Sequence, residues 1–382
     1  MESKHYAGEA YRAMLFNGIC ASSGGVVVAL LQEYCGLDYQ WSGLLLAALS
    51  VGHLLSTAAA GVLPGRIGLP ATIRTLSLGA ALGYGIMTFA RSPWALLLAF
   101  ALVGAAKGST LNVSSVLAGT APDKTRSMNL MHACFATGSL ACPVLIAALG
   151  AGGRPWWTPM AGLAVCGVLL WGVFALGRLP KPAGGAEHTG RDWSFLKKRR
   201  FWLLTGLLFF QNSAEIGITG WMVTYFKDTG ILAGPAGQLT VTVIWGAMLA
   251  GRLVIAFLLH IRSVPKALLL MTTASAGTYV LLLAVKTPLA ALGALALFGL
   301  AIAGVNPTAV AGAGKMLSSE SMGVMLPMAG VGAVLMPYIT GAVAEVAGIH
   351  AGMAAILLAV IGMAVCAAAL CWEERRRTRT TA

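Results

Sequence analysis

MHACFATGSLACP (residues 131–143) and MLPMAGVGAVLMP (residues 325–337) are the two stretches that decide the fold. Met131, Gly138 and Pro143 recur as Met325, Gly332 and Pro337, at a shift of 194 residues. The same shift carries Asn112 onto Asn306, and Phe16-Asn17 onto Phe210-Gln211. One shift that relates three separate segments points to a duplicated unit of about half the chain.

Both stretches sit in long apolar runs. Of the 382 residues, 58% are hydrophobic and 10% charged. A soluble domain carries about 25% charged residues, so this chain cannot cover a water-facing surface. Its solvent is lipid. There each backbone polar group needs an internal partner, which leaves helices or closed barrels. The continuous runs are each near the roughly 20 residues that cross a hydrocarbon core, which selects helices.

Twelve spans are expected, at 12–32, 41–63, 72–90, 94–118, 129–150, 157–177, 201–226, 238–259, 266–285, 289–311, 320–345 and 348–371. The polar interruption 178–200 falls at the midpoint and reads as a cytoplasmic linker. It divides a six-helix bundle at 1–177 from a second at 201–382, the latter ending in a basic tail. The polar segment Met1–Tyr11 ahead of a long first run predicts a retained span rather than a cleaved signal peptide.

The net charge is +13, from 26 Lys+Arg against 13 Asp+Glu. With the N-terminus inside, 20 of those bases fall in cytoplasmic segments, four in outer loops and two, Lys107 and Arg252, within spans. That bias places both termini in the cytoplasm of a cell (inner) membrane by the positive-inside rule. It also assigns the basic linker and tail to anionic headgroups rather than to nucleic acid.

Two parallel six-helix halves are the repeat type described for major facilitator transporters, whose substrate site lies near mid-membrane between the halves. Ionisable groups inside the membrane are functional-site candidates. Lys107 in span 4 and Glu215 in span 7 fall at similar depth. They are expected to face one shared cavity, there to bind substrate or couple an ion, or else to form a static ion pair. Asn17, Asn112, Gln211, Asn212 and Asn306 lie on spans 1, 4, 7 and 10. They suit a polyhydroxylated solute, or serve as interhelical hydrogen bonds. Trp221, Tyr225 and Trp245 are candidate stacking surfaces, with an interfacial anchor equally open for Tyr225. Arg252 reads as a gating or structural contact. His132, taken to open span 5, reads as a helix-end hydrogen bond or a proton relay, and His53 likewise.

Gly61–Gly65 and Gly79–Gly83 are GxxxG pairs suited to close helix packing. Pro143, Pro307 and Pro337 are expected to bend or open their helices. The seven cysteines are scattered, without CxxC or metal spacing. No phosphate loop, HExxH or GxSxG is present, so neither an enzyme nor a cofactor is expected. Without an ATP site, energy would come from a gradient of protons, another ion or a solute. A monomer is expected.

MNLMHACFATGSLACP (Met128–Pro143), SAEIGITGWMVTYF (Ser213–Phe226), WGAMLAGRL (Trp245–Leu253), GLAIAGVNPTAV (Gly299–Val310) and MAGVGAVLMPYITG (Met328–Gly341) resemble the major facilitator superfamily. The resemblance is to its fucose permease-like branch of sugar–proton symporters. It implies an all-α membrane protein with the major facilitator fold, moving a sugar or sugar derivative by alternating access. Span 1 has no mid-span acid, and Lys107 stands close to where that branch carries an acid in span 4. In GVLPGRIG (Gly61–Gly68), Gly65 replaces the superfamily's usual aspartate. These departures keep open an efflux antiporter of amphiphilic compounds or organic anions. A membrane sensor or scaffold is a third reading.

Overall fold

The computed structural model describes residues 6–180, 193–232, 235–259, 261–316 and 319–380, and these are predominantly helical. The centre of the linker expected at 178–200 lies outside the described residues. The chain divides into two compact units, Met1–Glu187 and His188–Ala382.

The first unit holds α1 (Ala7–Ser22), α2 (Gly24–Cys35), α3 (Tyr39–Val62), α4 (Pro64–Ile67), α5 (Leu69–Phe89), α6 (Pro93–Ala118), α7 (Lys124–Gly150) and α8 (Thr158–Leu176). The second holds α9 (Arg199–Asp228), α10 (Pro235–Phe257), α11 (Val264–Ala284), α12 (Pro288–Ile302), α13 (Val305–Met316), α14 (Ser319–Ala347), α15 (Ile349–Ala355) and α16 (Leu357–Thr380). Among the described residues nine helices are long and apolar enough to cross a membrane, or ten when α1 and α2, bent by 40°, count as one span. Helices α5 and α9 complete the twelve expected runs with 21 and 30 residues, and both are more polar. Large apolar side chains stand exposed along these helices, among them Leu55, Leu98, Val144, Leu270, Leu297 and Val365. In water such surfaces would aggregate; in lipid they face their solvent.

Helix starts follow local chemistry. Asp38 and Asp123 cap α3 and α7 by accepting from the amides of Trp41 and Arg126. Proline occupies the first turn of α5, α6, α8, α11 and α12, where its missing N–H costs nothing.

Each unit packs by the same scheme. In the first, α1 lies against α6, α7 and α8, α3 against α6, and α5 against α6 and α8. In the second, α9 lies against α13, α14 and α16, α10 against α12, and α11 against α12 and α16. The duplication read from the sequence is therefore a duplication of packing.

Glycine contacts repeat with it. A Cβ on Gly138 would sit 2.0 Å from the Leu15 carbonyl oxygen, and one on Gly332 would sit 2.2 Å from that of Phe209. Both partners obey the shift of 194. Between the second and fourth spans of each unit the register is 195. Gly104 meets the Leu49 carbonyl as Gly299 meets that of Ile244. The Asn112–Asn306 match at 194 is thus one residue out of the structural register of its own helix pair.

Two buried tyrosines, Tyr84 and Tyr279, also stand 195 residues apart. The Tyr84 hydroxyl donates to the Cys20 carbonyl at 2.8 Å and pairs with Ser23 Oγ at 2.6 Å, at the break between α1 and α2. Tyr279 donates to the Met353 carbonyl at 2.7 Å, beside the break between α15 and α16. Backbone polar groups loosened by a bend inside a bundle need such partners.

The GxxxG expectation holds for one pair only. Cβ atoms on Gly79 and Gly83 would meet the carbonyls of Leu102 and Ala99 on α6, whereas Gly61 and Gly65 have nothing within 4 Å. Pro143 and Pro337 lie inside the unbroken helices α7 and α14. Pro307 sits in the first turn of α13, just past the break at Ala303–Gly304.

Candidate functional site

Lys107 lies about 20 Å along α6 from Pro93, well inside the helix. It stands between Gly104 and Gly108, whose added Cβ atoms would come 1.9 Å from the Leu49 carbonyl and 2.3 Å from that of His53. With no side chain at either glycine, the backbones of α3 and α6 touch there. Asn17, buried on α1, donates its amide to the Lys107 carbonyl at 3.4 Å and to Met14 Sδ at 3.7 Å. Asn112 donates to the Thr57 carbonyl at 3.4 Å. Asn17 Oδ1 and His53 Nδ1 are buried without a hydrogen-bond partner among the described residues. The His53 expectation of a satisfied ring is thus not met at that nitrogen.

Glu215 lies about 20 Å along α9 from its end at Asp228, also well inside the helix. Gln211, one turn earlier and fully buried, donates Nε2–H to Glu215 Oε2 at 2.6 Å. Asn306, at the start of α13, donates Nδ2–H to Gln211 Oε1 at 2.9 Å. Three candidates from the sequence therefore form one chain of side-chain hydrogen bonds, joining α9 to α13 beside a helix break.

Gln211 and Asn17 are partners under the 194 shift, and they act alike. Each joins the first span of its unit to the fourth. Asn17 reaches a backbone carbonyl, whereas Gln211 reaches a side chain and a carboxylate.

Asn212 points elsewhere and donates to the Ala329 carbonyl on α14 at 3.1 Å. Trp221 departs from the expectation of an open stacking surface. It is 0% exposed and its indole N–H donates to the Pro337 carbonyl at 3.0 Å. Tyr225 is likewise buried, its hydroxyl 3.2 Å from His350 Nδ1. Trp245 is partly exposed on α10. Arg252 is exposed and its Nε donates to the Ala303 carbonyl at 3.3 Å, at the break between α12 and α13. His132 does not open its helix: α7 begins at Lys124, which puts His132 two turns inside it, on an exposed face. All seven cysteines are free, and no cluster of metal-ligating residues occurs among the described residues.

Residues 13–326 match the Major Facilitator Superfamily. The chain belongs to that family. As a superfamily member it is a multi-pass membrane transporter with a small-molecule substrate, and not an enzyme. Solved structures share its fold at low identity. A point mutant of the nucleoside transporter NupG superposes with a TM-score of 0.77 at 15% identity, over 96% of this chain and 98% of that one. A bacterial homolog of the human lysosomal transporter Spinster, inward-facing and unoccupied, gives 0.74 at 14% identity, over 96% and 97%. Its occupied form gives 0.69 at 12%, over 95% and 94%. No curated protein sequence matches the chain significantly.

Sequence reasoning missed the two tyrosines at the helix breaks and the connection of Gln211 to Asn306. The tyrosines carried a signal in their 195-residue spacing. The Gln211–Glu215 spacing of four residues was also visible, since such residues neighbour each other on a helix. Which residue of span 10 meets Gln211 is a matter of helix rotation that spacing cannot fix.

Proposed function

We propose that this superfamily member is a secondary active transporter of a small polar solute, a sugar or sugar derivative first, working by alternating access and coupled to an ion. The observation that carries the reading is the Asn306–Gln211–Glu215 chain. A carboxylate and two amides deep in a spanning bundle are expensive to place in lipid, and such groups mark solute and ion pathways. Glu215 takes up a proton or contacts the solute. In the first unit Lys107, with Asn17 and Asn112 beside it, supplies the second charged group. Arg252, bonded at the break in the tenth span, governs its bending. Trp245 lines the solute's path, and His132 serves as a helix-surface hydrogen-bonding group near the mouth. The protein works as a monomer in the cell membrane with both termini in the cytoplasm, an orientation that the 20-to-4 distribution of bases supports.

A second reading is favoured by one observation. Lys107 is a cation where the fucose permease-like branch carries an acid, which suits export of an organic anion by exchange.

The test is uptake into proteoliposomes of radiolabelled fucose, uridine and glucuronate under an imposed proton gradient. Uridine enters the panel because a nucleoside is a sugar derivative. Accumulation of fucose or uridine supports the first reading. Exchange of glucuronate alone supports the second.

A further inference from the structure

Glutamine has two unlike ends, and in this structure both are used. Ionised Glu215 only accepts hydrogen bonds, so Gln211 must turn its NH2 toward it. Gln211 Oε1 then faces Asn306, which must answer with Nδ2–H. The polarity of all three groups is set by the charge at one end of the chain. The contacts measure 2.6 and 2.9 Å, the shorter one being that to the carboxylate, as expected of a charge-assisted bond. Gln211 is fully buried, so water cannot stand in for either partner. What remains for Asn306, partly exposed, is its Oδ1 and its second Nδ2–H.

We infer that Asn306 is a specificity-determining residue whose outward-facing group is switched by protonation of Glu215, through rotation of the Gln211 amide. A proton transferred from hydronium onto Glu215 Oε2, leaving water behind, makes that oxygen a donor. Gln211 turns over, accepting with Oε1 and donating Nε2–H to Asn306. Asn306 turns over in response, accepting with Oδ1 and freeing Nδ2–H. No covalent bond breaks apart from the proton's transfer from hydronium. Asn306 therefore offers a free Oδ1 beside one Nδ2–H when Glu215 is ionised, and both Nδ2–H donors with Oδ1 engaged when it is protonated. A hydroxyl-bearing solute meets a different partner in the two states, so proton and solute binding are coupled at this residue. This deepens the transport reading above and rests on it for its physiological meaning, while the switch itself is a property of the second unit alone.

Among the side chains the structure describes, other charged groups on the elements packed against α9 are engaged away from Glu215. Arg252 bonds the Ala303 carbonyl, His350 the Tyr225 hydroxyl, Glu373 Arg200 and Glu374 Ser263, while Arg376 lies over Trp372. Glu345 on α14 stands two turns past Pro337 and Arg375 near the end of α16, both remote from Glu215 along their helices.

The test is infrared difference spectroscopy of the full chain in lipid, titrated from about pH 9 to about pH 3, a range that spans carboxyl titration. Wild-type protein should gain a protonated-carboxyl band together with paired shifts of side-chain amide carbonyl bands. Carrying 13C in its glutamine side chains, it should show one of those amide bands moved by the isotope, an arm that needs no variant. Glu215→Gln should lose the carboxyl band and the amide shifts together. Gln211→Met should keep the carboxyl band and lose the amide shifts. Amide shifts that persist in Gln211→Met, a carboxyl band without isotope-sensitive amide shifts, or no Glu215 band in this range would each overturn the switch. Fucose, uridine and glucuronate uptake by the same preparations is scored separately. A working switch in a protein that moves none of them sinks the transport reading alone, and transport without amide rotation sinks the switch alone.

Discussion

Asn212 stands 194 residues after Gly18, and the two meet equivalent carbonyls in different ways. A Cβ on Gly18 would lie 2.1 Å from the Phe135 carbonyl oxygen, so bare backbone touches backbone. Asn212 instead sends its amide to the Ala329 carbonyl at 3.1 Å, and Ala329 is itself 194 residues after Phe135. At this position the duplicated helix pair thus meets by bare backbone in one unit and by an asparagine hydrogen bond in the other. Asn212→Ala is expected to lower stability by about 0.6–1.7 kcal/mol, the range for interhelical bonds in membranes. Thermal unfolding in detergent measures it. Gly18→Ala should cost more, since a methyl group cannot share space with a carbonyl.

The repeat-related glycines give a matched pair. Gly138→Ala and Gly332→Ala each push a methyl group onto a backbone carbonyl at 2.0 and 2.2 Å. Each should destabilise by roughly 1–3 kcal/mol, the usual cost of overpacking. Gly172→Ala and Gly293→Ala, where nothing lies within 4 Å, should leave the unfolding temperature unchanged or raise it. Equal effects at all four positions would count against the packing scheme.

At the helix breaks, Tyr84→Phe removes two buried hydrogen bonds and Tyr279→Phe one, and both keep the ring. Tyr279→Phe should cost about 1 kcal/mol, and Tyr84→Phe more. Hydrogen exchange should quicken at Cys20–Val27 in the first variant and at Met353–Val360 in the second. Unchanged exchange at both would mean that the breaks hold without their tyrosines.

Lys107→Met keeps the length of the side chain and removes its charge. Uptake of whichever solute the wild type moves should fall by about tenfold or more, equivalent to about 1.4 kcal/mol of lost interaction. If Lys107 only locks helices, the variant should unfold earlier and transport normally once folded.

Much of this was legible in the sequence because lipid narrows the choices. Uninterrupted apolar runs had to be helices, and their ends were found to within a few residues, except that α16 runs on to Thr380. The duplication was legible because glycines at helix crossings tolerate no side chain. The breaks were less so: Ser22-Ser23-Gly24 in the first span is a weak helical stretch, whereas Ile356 in the last carries no such mark. Of the site, the residue types and their spans could be read, but not their rotation about the helix axis. Trp221 and Asn212 sit on the same helix as Glu215 and turn to α14 instead. Gln211 and Asn306 turn toward each other.

The most direct test of proton coupling through Glu215 is accumulation of labelled solute in proteoliposomes under an inward proton gradient, compared between wild type and Glu215→Gln. Wild type should concentrate the solute above the outside level. The variant should bring it only to equality, with unaltered thermal stability and counterflow intact. Concentrative uptake by Glu215→Gln at the wild-type level would show that the gradient is read elsewhere.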